Sequence, residues 1–434
     1  MDKFLITGGR PLTGTIRVSG AKNSALPCMA AAILTEEDII LENIPQVRDI
    51  DTERRLLASM GAEVELWDDG HTRRTRIRCA TLSDPVAKYE IVKTMRASSL
   101  VLGPLIARTG LARVAMPGGC AIGGRPIDLH LKGLEKMGAV ITTEHGYIEA
   151  RTDRLRGAHI VFDKITVTGT EDLLMAAVLA DGETLLENCA REPEVVDLAA
   201  LLTAMGAKIH GAGTAAIRVQ GVTSLMGARH RIYPDRIEAG TFLIAGAITG
   251  GDLIVSDCNT SHIGAVITKL QEVGVRIDTL GRDAVRVRPN RALRAADIST
   301  EEYPGFPTDM QAQYMALATQ ADGVSMVKEN IFENRFMHVQ ELARMGAQIK
   351  VDGRTATVQG KSRLSATSVM CSDLRASASL VLAALVADGQ SVLDRVYHID
   401  RGYERIEEKL RRVGAKIARV SNVPAPQSEE ALAG

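Results

Sequence analysis

Apolar and polar positions repeat along this chain in a six-fold pattern. Leu198, Leu201, Leu202 and Met205 stand at i, i+3, i+4 and i+7, and Ile406, Leu410 and Val413 repeat the stripe. That spacing predicts an amphipathic helix. Each such helix runs into a short tag: MGAEVE, MGAVIT, MGAKIH, VGVRID, MGAQIK or VGAKIA. The tag glycines are Gly61, Gly138, Gly206, Gly274, Gly346 and Gly414. A near-constant period through a whole chain marks a repeated unit. A glycine directly after a helix fits the left-handed position that ends it. The alternation that follows, as in KIH and EVE, reads as a strand.

A second helix of different character precedes each tag helix. SALPCMAAAIL, ASSLVLGPLIA, EDLLMAAVLA, AGTFLIAGAI, AQYMALATQA and ASASLVLAALVA are apolar nearly all round. A helix without a polar face is buried on all sides. Between the two helices lie strand-and-loop stretches such as IILENIP, TLLENCA, SMVKENI and SVLDRVY. The unit is therefore β-α-β-α-β-β, and the fold class is α/β. The charged, proline-bearing stretch RHRIYPDRIEAG, near 229–240, separates the third and fourth tags. It predicts two domains of three units each, 22–233 and 1–21 with 234–419. The N-terminal strand is expected to pair in the second domain, and 420–434 to form a flexible tail.

Composition narrows the function. The 434 residues carry a formal net charge of −1 and only 3% aromatics, which argues against a nucleic-acid partner. Apolar runs such as LVLAALVA are too short for membrane insertion, and no signal-type apolar run follows Met1. The six cysteines are scattered without a C-x-x-C pair, so a cytoplasmic, metal-free protein is expected, with no obligate protein partner evident. Five of them, Cys28, Cys79, Cys189, Cys258 and Cys371, read as small buried hydrophobes in strand or helix context. Cys120 differs. It stands in MPGGCAIGGRP, where the glycines can build no core around it, and a thiol pKa lowered by Arg125 or a distant lysine is expected.

Cations recur where the buried helices begin: Lys22-Asn23, Arg96, Arg236 and Arg375, with KTMRASS and SDLRASAS repeating one placement. A cation at a helix N-terminus is unfavourable for the helix alone, but sensible if an anion arrives to be shared. Arg48, Arg125, Arg335 and Arg401 lie in loops and add guanidinium groups suited to phosphate or carboxylate. Any one of these is ordinarily a solvated terminus; their recurrence points to a cleft for a small, multiply charged anion. Asp309, in FPTDMQAQ, fits either a helix N-cap or a general base. His130, His338 and His398 could contact a ligand, but satisfied structural roles are expected of them. No Walker loop, G-x-S-x-G elbow or G-x-G-x-x-G fingerprint is present.

The segments SGAKNSALP, KTMRASS, PGGCAIGGRPIDLH, AREPEVVD, PDRIEAGTF, FPTDMQAQ, FENRFMHV, DLRASASL and YHIDRGYERIE together resemble the enolpyruvyltransferase family, in the branch that uses UDP-N-acetylglucosamine. The resemblance runs from Met1 to about Arg419. It implies two inside-out α/β domains and transfer of enolpyruvate from phosphoenolpyruvate to the sugar 3-hydroxyl. It further implies that Lys22, Asn23, Arg96, Cys120, Arg125 and Arg401 surround phosphoenolpyruvate. Arg125, Pro126, Ile127, Asp128 and Leu129, with Lys164, Ile165, Thr166 and Val167, would hold the uridine diphosphate. Asp309 and Ile331 would contact the amino sugar, and Arg335 and Arg375 would line the closed cleft. Cys120, Asp309, Lys22 and Arg401 carry the catalytic roles in this reading. No cofactor is implied, although Cys120 can carry a covalent phosphoenolpyruvate adduct. Arg48 stands where the family often has lysine. The branch acting on shikimate 3-phosphate is the nearest alternative, but its GNAGT-type motif is missing.

Overall fold

The six units predicted from the tags fold as six four-stranded sheets, each served by two helices. The computed structural model describes residues 2–68, 70, 72–116, 127–289 and 292–421. In the third unit, strand His159–Val161 leads to the buried helix Val167–Ala177 and strand Glu183–Glu187. The amphipathic helix Pro193–Ala204 follows, then strands Lys208–His210 and Ala216–Gln220. The sheet order is first, second, fourth, third. The first pair is parallel and the others antiparallel. Every other sheet among the described residues has the same order. All six tag glycines have φ between 92° and 106°, the left-handed region that no branched residue would enter cheaply.

Along most of the inner strands, buried and more exposed positions alternate. In Ala216–Gln220, Ile217 and Val219 are buried while their neighbours face solvent. Sheets thus clothe the outside and the Ala-rich helices fill the centre, the reverse of a sheet-cored α/β fold. Three of the six buried helices differ from the simple expectation: Lys22–Ala30 ends in a 3-10 turn, Ala31–Leu34, and two others begin with one. Arg96–Val101 and Thr308–Met310 are 3-10 turns that lead into the helices Leu102–Thr109 and Gln311–Ala318. In the first case Pro104 has no N–H for the carbonyl of Leu100, and its ring crowds that position. Five cysteines are buried as expected, but only Cys28 lies within a helix; Cys79, Cys189, Cys258 and Cys371 are in loops just beyond strand ends.

Buried apolar side chains form two clusters, one from residues 25–232 and one from 4–18 with 237–417. Strand Asp2–Thr7 completes the sixth unit by pairing with Gln390–Asp394 and Lys416–Ser421. Strand Thr13–Arg17 is the first strand of the fourth unit, parallel to Asp252–Ser256. Ala228–Arg231 plays that part in the first unit, parallel to Ile39–Glu42. The chain therefore passes between the two lobes twice, and the two passages pair with each other. The Ala21 amide donates to the Tyr233 carbonyl (2.7 Å) and the Asp235 amide to the Ser19 carbonyl (2.8 Å). Each passage is pinned by a buried carboxylate. Asp197 accepts from the Tyr233 amide (2.9 Å) and from the Ser24 hydroxyl. Glu238 accepts from the Ser19 amide (2.7 Å) and from Lys409 (2.6 Å). A Cβ at Gly20 would lie 1.8 Å from the Asn43 carbonyl oxygen, so only glycine fits the crossing.

Candidate active site

Three of the cationic positions, Lys22, Arg48 and Arg401, meet where the lobes face each other. Lys22 opens the helix Lys22–Ala30, and its ammonium lies 3.0 Å from Asp49 Oδ2. Arg401, from the other lobe, places Nε 3.0 Å from Asp49 Oδ1. Burial alone would raise the Asp49 pKa, but the charges of Lys22 and Arg401 outweigh it and hold the carboxyl below its usual range. Two further contacts join the lobes beside it. The Gln46 amide donates to Glu404 (2.9 Å), and the Arg48 guanidinium lies 5.8 Å from the Tyr397 ring centroid. Arg48 is the first residue of the helix Arg48–Ser59, and Arg401 the last of the 3-10 turn Val396–Arg401, rather than loop residues. Asn23, exposed, follows Lys22 at the cleft edge.

Asp309 does not cap a helix. Its Oδ1 accepts from Arg335 (2.6 Å), and its Oδ2 accepts two bonds from Arg375 (3.1 and 2.9 Å). Burial works to raise its pKa, yet the two guanidiniums hold it well below the ordinary carboxylate value. Arg335 also donates to the Thr308 hydroxyl (2.7 Å). Glu329 ties Ile331 to the same place, accepting from the Ile331 amide (2.9 Å) and the Thr308 hydroxyl (2.9 Å).

In the other lobe, Thr166 caps the helix Val167–Ala177 by accepting from the Gly169 amide (3.1 Å). A Cβ at residue 169 would lie 2.4 Å from Thr166 Cγ2, so this helix start needs glycine. Lys164 is exposed, and Ile165 and Val167 are half-buried. Asp128 opens the helix Asp128–Lys136 after the buried Ile127, with Leu129 half-buried. Lys132 bridges to Asp163 (3.2 Å), which places this helix beside the Thr166 turn. His130 is buried between them. Desolvation first, then the Arg96 charge, lower its pKa to about 4, so it is neutral. Arg96, Asp128 and the Thr168 backbone all act on this one imidazole, which sets them together. Cys120, Arg125 and Pro126 lie outside the described residues.

Several members of the site were not singled out by sequence. Asp49 looks, in VRDID, like an acid suiting a helix N-terminus, so its role as a bridge between lobes is hidden. The same holds for Glu194, in the first turn of Pro193–Ala204, which takes Arg236 of the opposite lobe (2.9 Å). Glu329 gave no periodic signal at all. His338, like His130, is buried, and desolvation lowers its pKa to about 4.

Comparison with known proteins identifies the family. Residues 6–410 match the family model for EPSP synthase (3-phosphoshikimate 1-carboxyvinyltransferase). The chain is 77% identical to the UDP-N-acetylglucosamine 1-carboxyvinyltransferase of Acidobacterium capsulatum, over 98% of this chain and 97% of that protein. It is 69% identical to the enzyme of the same name from Koribacter versatilis, over 98% of each. Among solved structures, the enolpyruvyl transferase NikO from Streptomyces tendae superposes with a TM-score of 0.86 at 24% identity, covering 96% of this chain and 99% of that one. EPSP synthase from Acinetobacter baumannii gives 0.74 at 19%, covering 97% and 100%. These two likenesses bear on the fold, which they share across nearly the whole chain. With a family model spanning most of its length and full-length relatives of such identity, the chain belongs to the enolpyruvyltransferases, in the group of UDP-N-acetylglucosamine 1-carboxyvinyltransferases.

Proposed function

We propose that this protein transfers the enolpyruvyl group of phosphoenolpyruvate to the 3-hydroxyl of UDP-N-acetylglucosamine and releases inorganic phosphate. This is the first committed step of peptidoglycan synthesis, carried out in the cytoplasm. The observation that carries the reading is the meeting of Lys22 and Arg401, from opposite lobes, on Asp49 within 3.0 Å, in a chain so close to enzymes of that name. Among the described residues no helix is long and apolar enough to cross a membrane.

The residue types fit the chemistry. Addition forms a bond between the sugar oxygen and C2 of phosphoenolpyruvate, while a proton goes to the methylene carbon. Cys120 is the proton donor in this reading, and its sulfur can also bond to C2. Elimination then removes a proton from the new methyl group and breaks the C2–O bond to phosphate. Lys22, Arg96 and Arg401 would hold the phosphate and carboxylate charges through both steps. The Thr166 helix start and the Ile127–Leu129 turn would hold the diphosphate and uridine, since unpaired helix N–H groups suit phosphate. Asp309 takes the sugar hydroxyl proton. With two guanidiniums on it, Asp309 is a weak base. An arriving substrate that draws Arg335 or Arg375 toward itself raises the proton affinity of Asp309 when the base is needed.

Phosphate release from phosphoenolpyruvate tests this directly, with UDP-N-acetylglucosamine and shikimate 3-phosphate compared as acceptors. Release dependent on the sugar nucleotide is expected. Its absence, or release with shikimate 3-phosphate alone, overturns the reading. Asp309→Asn should lower kcat by roughly 100-fold or more while the sugar nucleotide still binds.

A further inference from the structure

Two catalytic positions in the second lobe, Arg401 and Asp309, are far apart in sequence and joined by a buried polar link. Tyr403 follows Arg401 by two residues and is only 1% exposed. Its hydroxyl lies 2.9 Å from Thr241 Oγ1 and accepts from Gln313 Nε2 (3.1 Å). Thr241 spends its own proton on the Ile237 carbonyl (2.8 Å), so Tyr403 is the donor to Thr241. Gln313 also donates to the Asp309 carbonyl oxygen (2.8 Å). The Tyr403 ring lies against the Arg375 guanidinium, 5.4 Å from centroid to carbon, and Arg375 grips the Asp309 carboxylate. Between the two residues, Gly402 is seated on Leu374, where a Cβ would lie 2.6 Å from Cδ2. Asp309 is thus tied to Tyr403 twice: at its backbone through Gln313 and at its carboxylate through Arg375.

We infer that Tyr403 is a positioning residue for the enolpyruvyl transfer, one that fixes Asp309 relative to Arg401 and so couples the Arg401–Asp49 contact between lobes to the orientation of the base. The inference rests on the function proposed above. Both neighbours of the phenol are committed. Gln313 shares its amide among three oxygens, those of Asp309, Tyr403 and Thr241 (3.2 Å), and Thr241 has no second proton to offer, so loss of the hydroxyl takes one acceptor from Gln313 and one donor from Thr241 and leaves the two to hold the link alone. The ring alone cannot restore the distance between the Arg401 turn and the start of the Gln311–Ala318 helix. A polar network this enclosed acts as a unit, because each bond fixes the direction of the next.

The experiment first measures sugar-dependent phosphate release by the wild-type chain; none would sink the function, not this inference. Tyr403→Phe is then compared in the wild-type and Arg401→Ala backgrounds, with thermal unfolding of each. The expected result is a thermal midpoint close to wild type, KM for UDP-N-acetylglucosamine within about 3-fold, and kcat lower by roughly 10-fold, as a small misplacement of a reacting group produces. In the Arg401→Ala background the same change should cost less than about 2-fold, because the link has lost one of its ends. Should Tyr403→Phe fail to fold, Gln313→Met interrupts the same link and is expected to give the same pattern. An unchanged kcat overturns the inference, as does an equal loss in both backgrounds or a loss that only follows the unfolded fraction.

Discussion

Glu53 lies one helical turn beyond Asp49 on the helix Arg48–Ser59 and is 1% exposed. Neither of its carboxyl oxygens has a hydrogen-bond partner among the described residues. Desolvation, with a smaller contribution from the Asp49 charge, raises its pKa from 4.5 to about 8. The native state therefore holds a proton that the unfolded chain releases above pH 4.5, and stability falls as pH rises toward 8. A tenfold change in proton affinity corresponds to about 1.4 kcal/mol, so the cost at pH 7 is about 3 kcal/mol relative to a group that does not titrate. Glu53→Gln removes the titration and keeps the shape. Urea unfolding of both proteins at about pH 5 and about pH 7.5, extrapolated to water, isolates the effect. The variant should gain on the wild type by roughly 3 kcal/mol between the two pH values. The buried amide still lacks a partner, so the absolute difference at either pH carries less information than its change. Parallel pH dependence, to within about 0.5 kcal/mol, would refute the assignment of Glu53 as a buried neutral acid.

Asp49→Ala leaves Lys22 and Arg401 facing each other without the carboxylate between them, and removing one partner of a buried pair typically costs about 3–5 kcal/mol. We expect kcat/KM to fall by at least about 100-fold and the lobes to spread, measured by phosphate release and small-angle scattering. Cys120 should be alkylated by an epoxide phosphonate when the sugar nucleotide is bound; mass spectrometry finding no adduct on that residue would remove it from the site.

The repeat, the buried helices and the cationic helix starts were readable because each is a local pattern. A tag such as MGAKIH states its helix end, its left-handed glycine and its strand within six residues. The N-terminal strand could be assigned to the second lobe by counting neighbours, and Asp2–Thr7 pairs there. The bridging acids could not be read. Asp49 and Glu194 stand where an ordinary helix places an acid, and what they bind comes from the other lobe, hundreds of residues away for Asp49 and Arg401. Asp309 shows the converse. Its local sequence fits a cap, and only the approach of Arg335 and Arg375 through the fold shows that its carboxylate is used elsewhere.

The two passages between the lobes also set an order of assembly. The first lobe is one continuous stretch, closed when Ala228–Arg231 pairs with Ile39–Glu42, so it can fold while the rest of the chain is still being made. The second lobe has no such freedom. Strand Asp2–Thr7 waits for its first partner, Gln390–Asp394, and then for Lys416–Ser421, and the Arg419–Asp2 ion pair spans 417 positions. Until then the early strand is an unpaired edge, exposed to wrong partners. The finished first lobe, held at its base by Gly20 and Pro234, keeps Thr13–Arg17 close to where Asp252–Ser256 will emerge. One lobe thus serves as the template on which the other is closed.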